Sequence, residues 1–192
     1  MSTVQTSRNR DNLHKMLKHA MDSCFSNLIN NSALKVADNP SELIAASDLA
    51  HIMLTVAGLQ FRATVLLHYP TGKNALSLLN QFAGDDRSTK TEKDIEPYYT
   101  ELGNQFCGEI KRHMYKQFDH LGMSTPSIMA PATVMSDINN SQMLAECHHV
   151  YLSGTQAALG GSIYAFSNQP IEFEFDSSSY NEVITTGELE FF

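Results

Sequence analysis

The 192-residue chain contains no tryptophan and only three cysteines. Cys24, Cys107 and Cys147 are widely spaced and form no Cys-x-x-Cys pair, which argues against a disulfide framework and against a cysteine-based zinc site. No stretch approaches the ~18 uninterrupted apolar residues of a transmembrane helix, and the polar N-terminus lacks the apolar core of a signal peptide. These absences predict a reduced, cytoplasmic protein that does not span a membrane.

Basic residues are also scarce. The chain has 13 lysines and arginines against 21 aspartates and glutamates, a formal charge of −8. Binding to nucleic acid or to anionic lipid requires clustered basic side chains that contact phosphate groups. We therefore expect neither to be the main partner, whereas docking to another protein domain remains open because it needs only local complementarity.

The order of the predicted elements favours an α+β fold. A helix from Asp11 is followed by short strands, two helices and further strands, without regular βαβ alternation, which predicts helices on one face of an antiparallel sheet. The length suits one domain, for which we predict residues 11–176. Residues 1–10 are predicted to be disordered, and 177–192 to form either an acidic tail or an edge strand. The alternation over 171–175 predicts a half-buried strand.

The segment from Asp94 to Pro126 carries the clearest helical pattern. We predict a helix that begins with Asp94 as its N-cap, runs to about Leu121 and stops at Gly122. Its apolar residues recur at steps of three and four and form one buried stripe; they are Ile95, Tyr99, Leu102, Phe106, Ile110 and Met114. Cys107 and His113 are predicted to be packing residues.

Three residues of this helix lie on the opposite side. Glu101 and Asn104 are one turn apart, and Gly108 follows one turn further along the same face. A glycine inside a helix costs about 1 kcal/mol relative to alanine, so its presence needs a reason. Removing a side chain beside a carboxylate and an amide would let a partner approach the backbone closely. The alternative is an ordinary solvated helix face.

The pattern Glu101-x-x-Asn104-x-x-x-Gly108-x-x-Lys111, followed by the Ser-Thr-Pro of 124–126, resembles the signature helix of the CheC/CheX family of chemotaxis phosphatases, nearest the CheX branch. The resemblance implies a CheX-like sandwich, with long helices packed on one face of an extended, mostly antiparallel β-sheet. It also allows a homodimer joined through sheet edges.

The resemblance also implies an activity, which is the hydrolysis of the aspartyl phosphate on a CheY-like receiver domain. Asn104 would position the attacking water, Glu101 would pair with the receiver lysine, and Gly108 and Lys111 would contact the partner. Because the receiver supplies the Mg²⁺, no cofactor is expected in this chain. The alternative function is a non-catalytic module that binds a receiver or docks as flagellar-switch proteins do.

Two other patterns are interpreted without a functional role. The segment 77–84 echoes 101–108 with Ser77 in place of Glu101, and we interpret the echo as coincidence and the chain as single-sited. No metal site is predicted. Neighbouring His148 and His149 would point to opposite faces of a strand, and His14 and His19 are five positions apart on a helix, a spacing that suits chelation poorly.

Overall fold

The computed structural model describes residues 3–26, 34–37, 49–82, 90–129, 143–152, 158–167 and 170–176. Three helices lie in these ranges: α1 (Thr3–Ser26), α2 (Gly72–Phe82) and α3 (Glu92–Met114). The strands are β1 (Leu34–Ala37), β2 (Leu49–Ala57), β3 (Phe61–Pro70), β4 (Gly122–Met123), β5 (Ser127–Met129), β6 (Met143–Leu152) and β7 (Ala158–Ser167). None of the helices in these ranges is long and apolar enough to cross a membrane.

All strand pairs in the described ranges are antiparallel, and they build one seven-stranded sheet. The strand order is β1-β6-β7-β3-β2-β4, and β5 also pairs with β2. The two long helices α1 and α3 pack together on one face of this sheet. The predicted α+β architecture, with long helices on one face of an extended antiparallel sheet, is therefore confirmed.

The long helices run antiparallel to each other. The ring of His19 lies 5.0 Å from that of His113, while six residues further along α1 the ring of Phe25 lies 6.3 Å from that of Phe106. The main core fills the space between the two helices and the sheet, and it joins α1 and α3 to the central strands β2, β3 and β7. One face of α3 therefore packs against the core, and the opposite face points away from it.

The N-terminus differs from the prediction, because α1 begins at Thr3 and includes most of the residues that were predicted to be disordered. Buried Asn9 donates from Nδ2 to the Ile171 carbonyl at 2.5 Å and accepts at Oδ1 from the Phe173 N–H at 2.9 Å. Asn12 donates to the Phe173 carbonyl at 2.6 Å. These contacts with the other end of the chain hold the polar first turns in place.

The predicted strand over residues 171–175 is also corrected. Its burial alternates as predicted, with Ile171 and Phe173 buried and Glu172 and Glu174 exposed. However, its backbone hydrogen bonds go to side chains of helix α1 and to Gln117 instead of a neighbouring strand. The segment is therefore extended but does not belong to the sheet, and it packs Ile171 and Phe173 into the core. The predictions for residues 177–192 lie outside the described residues.

Candidate functional site

Helix α3 begins and ends earlier than predicted. Its N-cap is Thr91, and Asp94 occupies the third helical position, where its carboxylate accepts from the Thr91 N–H and hydroxyl, each at 2.8 Å. This arrangement is a capping box, and it closes the start of the helix. The regular helix ends at Met114, and the chain then turns so that Phe118 packs 4.6 Å from the ring of Phe61. Gly122 consequently starts β4 instead of stopping the helix.

One side of α3 is locked into the core. Its buried residues recur at helical spacing and confirm the predicted stripe except at Ile95, which is only partly buried. The buried residues are Tyr99, Leu102, Gly103, Phe106, Cys107, Ile110, His113 and Met114. The Tyr99 hydroxyl donates to the Ala75 carbonyl at 3.1 Å, which ties α3 to α2. Because this side is fixed along the helix, the opposite side presents its side chains from a rigid base.

That opposite side carries the residues of the sequence motif. Glu101 is exposed, and Asn104, Gly108 and Lys111 are partly exposed. At 3.6 residues per turn the four positions lie within about 80° of the helix circumference. Tyr115 continues the same spacing, keeps helical backbone angles (φ −63°, ψ −19°) and is 57% exposed. We call these five residues the α3 outer stripe.

Sequence reasoning missed Tyr115 as a member of this surface. The signal was available, because Tyr115 follows Lys111 by four residues, just as Gly108 follows Asn104. An exposed tyrosine combines a large apolar ring with a polar tip, a combination that is enriched at protein interfaces. The outer stripe therefore joins a carboxylate, an amide, a bare backbone position, a cation and an aromatic ring on one line.

The two candidate catalytic side chains differ in their contacts. The Glu101 carboxylate accepts a hydrogen bond from Gln105 Nε2 at 3.2 Å, which orients it along the helix. The side-chain amide of Asn104 makes no hydrogen bond to any other residue that the structure describes. Its carbonyl and its two N–H donors can therefore hold a water or a partner group without first breaking an internal contact.

Gly108 is not required by the packing of this fold. A Cβ atom built at this position would meet no heavy atom within 4 Å, so the space beside Asn104 is open. The cost of a glycine inside the helix is therefore not offset by an internal close contact. This observation supports the interpretation that the bare backbone serves the approach of a partner.

The echo of the motif on α2 has a structural role instead. Asn80, which corresponds to Asn104 in the echo, accepts a hydrogen bond at Oδ1 from the backbone N–H of Lys90 at 3.1 Å. Its amide oxygen therefore holds the segment that leads into α3. This contact supports the interpretation of the echo as coincidence, while Gly84 lies outside the described residues.

Cysteine chemistry is excluded at this site by the burial of the thiol. Cys107 lies in the core, and burial raises its pKa to about 12, so the thiol stays protonated at neutral pH. His113 is buried as well and lies on the core side of α3. Both residues therefore pack as predicted, although His113 also belongs to a second cluster described below.

A buried polar chain crosses the sheet and was not predicted. His51 on β2 lies opposite His68 on β3, and their Nδ1 atoms are 2.6 Å apart, so one donates to the other. His68 Nε2 in turn lies 2.6 Å from the hydroxyl oxygen of Ser162 on β7. All three residues are at most 1% exposed. Because a substrate cannot reach this chain, we assign it a structural role and not a catalytic one.

Acid should destabilise the protein through this chain. Burial lowers the pKa of His51 below its usual 6.5. As the pH falls through that value, the unfolded chain binds a proton that folded His51 resists, so the free energy of unfolding decreases by up to about 1.4 kcal/mol per pH unit. Denaturant titrations at about pH 7.5 and about pH 5.5 measure the loss. His51→Gln should reduce this pH dependence, and an unchanged dependence in the variant would contradict the assignment.

No protein-family model matches the sequence, and no curated protein matches it significantly. Solved structures do match. The CheX–CheY–BeF3–Mg²⁺ complex from Borrelia burgdorferi matches with a TM-score of 0.60 at 14% identity, covering 79% of this chain and 96% of the other. The chemotaxis protein CheX from Desulfovibrio desulfuricans matches with a TM-score of 0.54 at 11% identity, covering 81% of this chain and 98% of the other.

The FliM middle domain from H. pylori has a similar fold, with a TM-score of 0.52 at 10% identity, over 87% of this chain and 94% of the other. At these identities the similarity establishes the fold and not the activity. The chain therefore has the fold of CheX and CheC-like proteins, as the motif on α3 predicted.

Proposed function

We propose that this protein accelerates hydrolysis of the aspartyl phosphate on a CheY-like receiver domain. Asn104 positions the attacking water, and Glu101 pairs with the receiver lysine. The observation that carries the proposal is that both side chains project outward from one face of a helix whose other face is locked into the core. A rigid base of this kind suits a reaction that depends on positioning.

The chemistry demands little from the phosphatase. Hydrolysis of an acyl phosphate needs a water in line with the scissile bond and positive charge around the phosphoryl group. The receiver brings the Mg²⁺, the phosphoaspartate and a lysine, so the added groups only have to orient the water and fix the docking register. The Asn104 side-chain amide makes no hydrogen bond to the described residues, so its planar carbonyl and N–H groups can orient the water.

The rest of the outer stripe suits docking. Open space around Gly108 lets the receiver backbone approach α3 beside Asn104. Lys111 and Tyr115 extend the contact by two further turns with a cation and an exposed ring. The fold that this chain shares with the CheX of a CheX–CheY complex supports a receiver as the partner. A homodimer joined through sheet edges stays a prediction.

A second candidate function is a non-catalytic docking module. The FliM middle domain favours it, because that domain has a similar fold although it is not named as a CheX or CheC-like protein. The two candidates differ in one observable. A docking module binds the receiver without changing the lifetime of its acyl phosphate, whereas the proposed phosphatase shortens that lifetime.

Glu101→Ala should weaken receiver binding more than it slows the reaction. Removing the carboxylate removes the charge-assisted contact to the receiver lysine, which is worth about 1.5–3 kcal/mol, or roughly ten- to hundredfold in affinity. Turnover at saturating protein should stay close to the wild-type value, because Asn104 is intact. The measurement is the loss of acyl phosphate from a phosphorylated receiver at increasing concentrations of this protein, which separates KM from kcat.

Glu96→Ala is the matched control for this prediction. Glu96 is also an exposed glutamate of α3, but it lies five residues from Glu101 and therefore about 140° away around the helix. Its removal should leave both KM and kcat unchanged. A loss of kcat without a change of KM in Glu101→Ala would contradict the docking role and would place Glu101 in the chemical step.

A further inference from the structure

A second cluster of chemically active side chains lies where α1 and α3 pack together. It consists of His19 from α1 and of Glu109 and His113 from α3, and one ligand atom from each residue lies within 4.8 Å of the other two. Glu109 and His113 are four residues apart, so they share a face of α3, and His113 Nε2 lies 3.1 Å from Glu109 Oε1. The rings of His19 and His113 are 5.0 Å apart.

We propose that His19, Glu109 and His113 bind one divalent transition-metal ion of the zinc class and so join α1 to α3. Two imidazole nitrogens and one carboxylate oxygen form a known three-residue zinc set, with water in the fourth position. Imidazole donors favour Zn²⁺, Co²⁺, Ni²⁺ and Cu²⁺, whereas Mg²⁺ and Ca²⁺ favour all-oxygen sites. The proposal is independent of the proposed phosphatase activity.

The separations suit such an ion. Ligand atoms about 2.0–2.1 Å from a tetrahedral metal lie roughly 3.3 Å from one another. The distance between Glu109 Oε1 and His113 Nε2, 3.1 Å, is already close to this value. The His19 ligand atom lies within 4.8 Å of both, so a side-chain movement of at most about 1.5 Å brings it into range. Because two of the three ligands are held one turn apart on a single helix, the third ligand is the one that closes the site.

An aromatic ring packs against both histidines of the cluster. The ring of Phe175 lies 5.6 Å from that of His19 and 5.3 Å from that of His113, in edge-to-face contact with each. Phe175 therefore restricts the orientations of the two imidazoles.

Arg112 is the competitor of the proposed ion. Its guanidinium donates to both oxygens of Glu109, at 2.9 Å and 2.5 Å. The Arg112 side chain is 40% exposed, so it can move outward and leave Glu109 Oε1 to the metal. Removing this positive charge should therefore strengthen metal binding, which a purely structural ion-pair cluster would not do.

The test is a titration of the purified, metal-stripped chain with Zn²⁺, followed by calorimetry, and with Co²⁺, followed by its visible absorption. We expect one ion per chain, a rise of the unfolding temperature with Zn²⁺ but not with Mg²⁺, and a tetrahedral Co²⁺ spectrum. His19→Ala should weaken binding by at least about tenfold and remove the spectrum. Arg112→Gln should tighten it by about tenfold, since it removes a competing charge.

The control is His14→Ala, because His14 also lies on α1 and is partly exposed but is not part of the cluster. This variant should bind Zn²⁺ as the wild type does. Since His19 is only partly buried, its replacement should leave a folded protein, which circular dichroism checks. Equal Zn²⁺ affinity in the wild type and His19→Ala, or no binding at all, would overturn the proposal.

Discussion

Asn104→Ala is expected to return the receiver to its own rate of dephosphorylation, a loss of about 100-fold in the acceleration that this protein provides. The physical reason is that alanine has no group with which to orient the water. The amide of Asn104 has no hydrogen bond within the described part of the chain, so its removal leaves no buried partner unsatisfied. The measurement is the single-turnover decay of acyl phosphate at saturating protein.

The affinity for the phosphorylated receiver distinguishes the effect expected of Asn104→Ala from that expected of Glu101→Ala. Asn104→Ala should bind the phosphorylated receiver with an affinity close to that of the wild type, because the lost group acts on the water and not on the docking contact. Asn74→Ala makes the same change at an exposed position of α2, outside the outer stripe, and should keep the full rate. Wild-type acceleration in Asn104→Ala would refute the assigned role of this residue.

The wild-type protein itself decides between the two candidate functions. If it binds the receiver without shortening the lifetime of the acyl phosphate, the protein is a non-catalytic docking module and the outer stripe is a docking surface alone. The Asn104 and Glu101 variants would then differ only in affinity. A shortened lifetime that depends on Asn104 would establish catalysis.

Four of the five residues of the α3 outer stripe, all except Tyr115, could be predicted because their information is local. Steps of three and four place Tyr99, Leu102 and Phe106 on one face, and burial of that face sends Glu101 and Asn104 outward. The alternation of the central strands worked in the same way, and so the fold class followed from periodicity. The end of α3 could not be predicted from periodicity, because the turn after Met114 depends on the packing of later residues in the core.

The features that sequence reasoning missed share one cause: each depends on contacts between residues that are far apart in the sequence. The first turns of α1 look polar and disordered in sequence, but Asn9 and Asn12 bond to the backbone of residues 171–173. His19 and His113 are separated by 94 residues, and no spacing rule brings them together. The proposed metal-binding cluster becomes visible only once the antiparallel packing of α1 and α3 is known.

Two glycines of α3 should respond to the same substitution in opposite directions. Alanine at either position gains about 1 kcal/mol of helix propensity. At Gly108 the new methyl group enters open space, so Gly108→Ala should stabilise the protein by up to about this amount. At Gly103 the Cβ would lie 2.7 Å from Ile52 Cγ2 and 3.0 Å from Ile52 Cβ, because α3 packs closely against β2 here. Ile52 is branched at Cβ and fully buried, so it cannot move aside cheaply.

The overpacking at Gly103 should cost about 1–3 kcal/mol, and because the propensity gain is common to both variants, their free energies of unfolding should differ by this amount. Denaturant titrations of the two variants measure the difference, and after the propensity gain is subtracted, Gly103→Ala should be up to about 2 kcal/mol less stable than the wild type. Gly108→Leu then completes the argument, since it should remain folded but lose receiver affinity by blocking the approach to the helix backbone. If Gly108→Leu binds the receiver as the wild type does, the bare backbone beside Asn104 is not part of the docking surface.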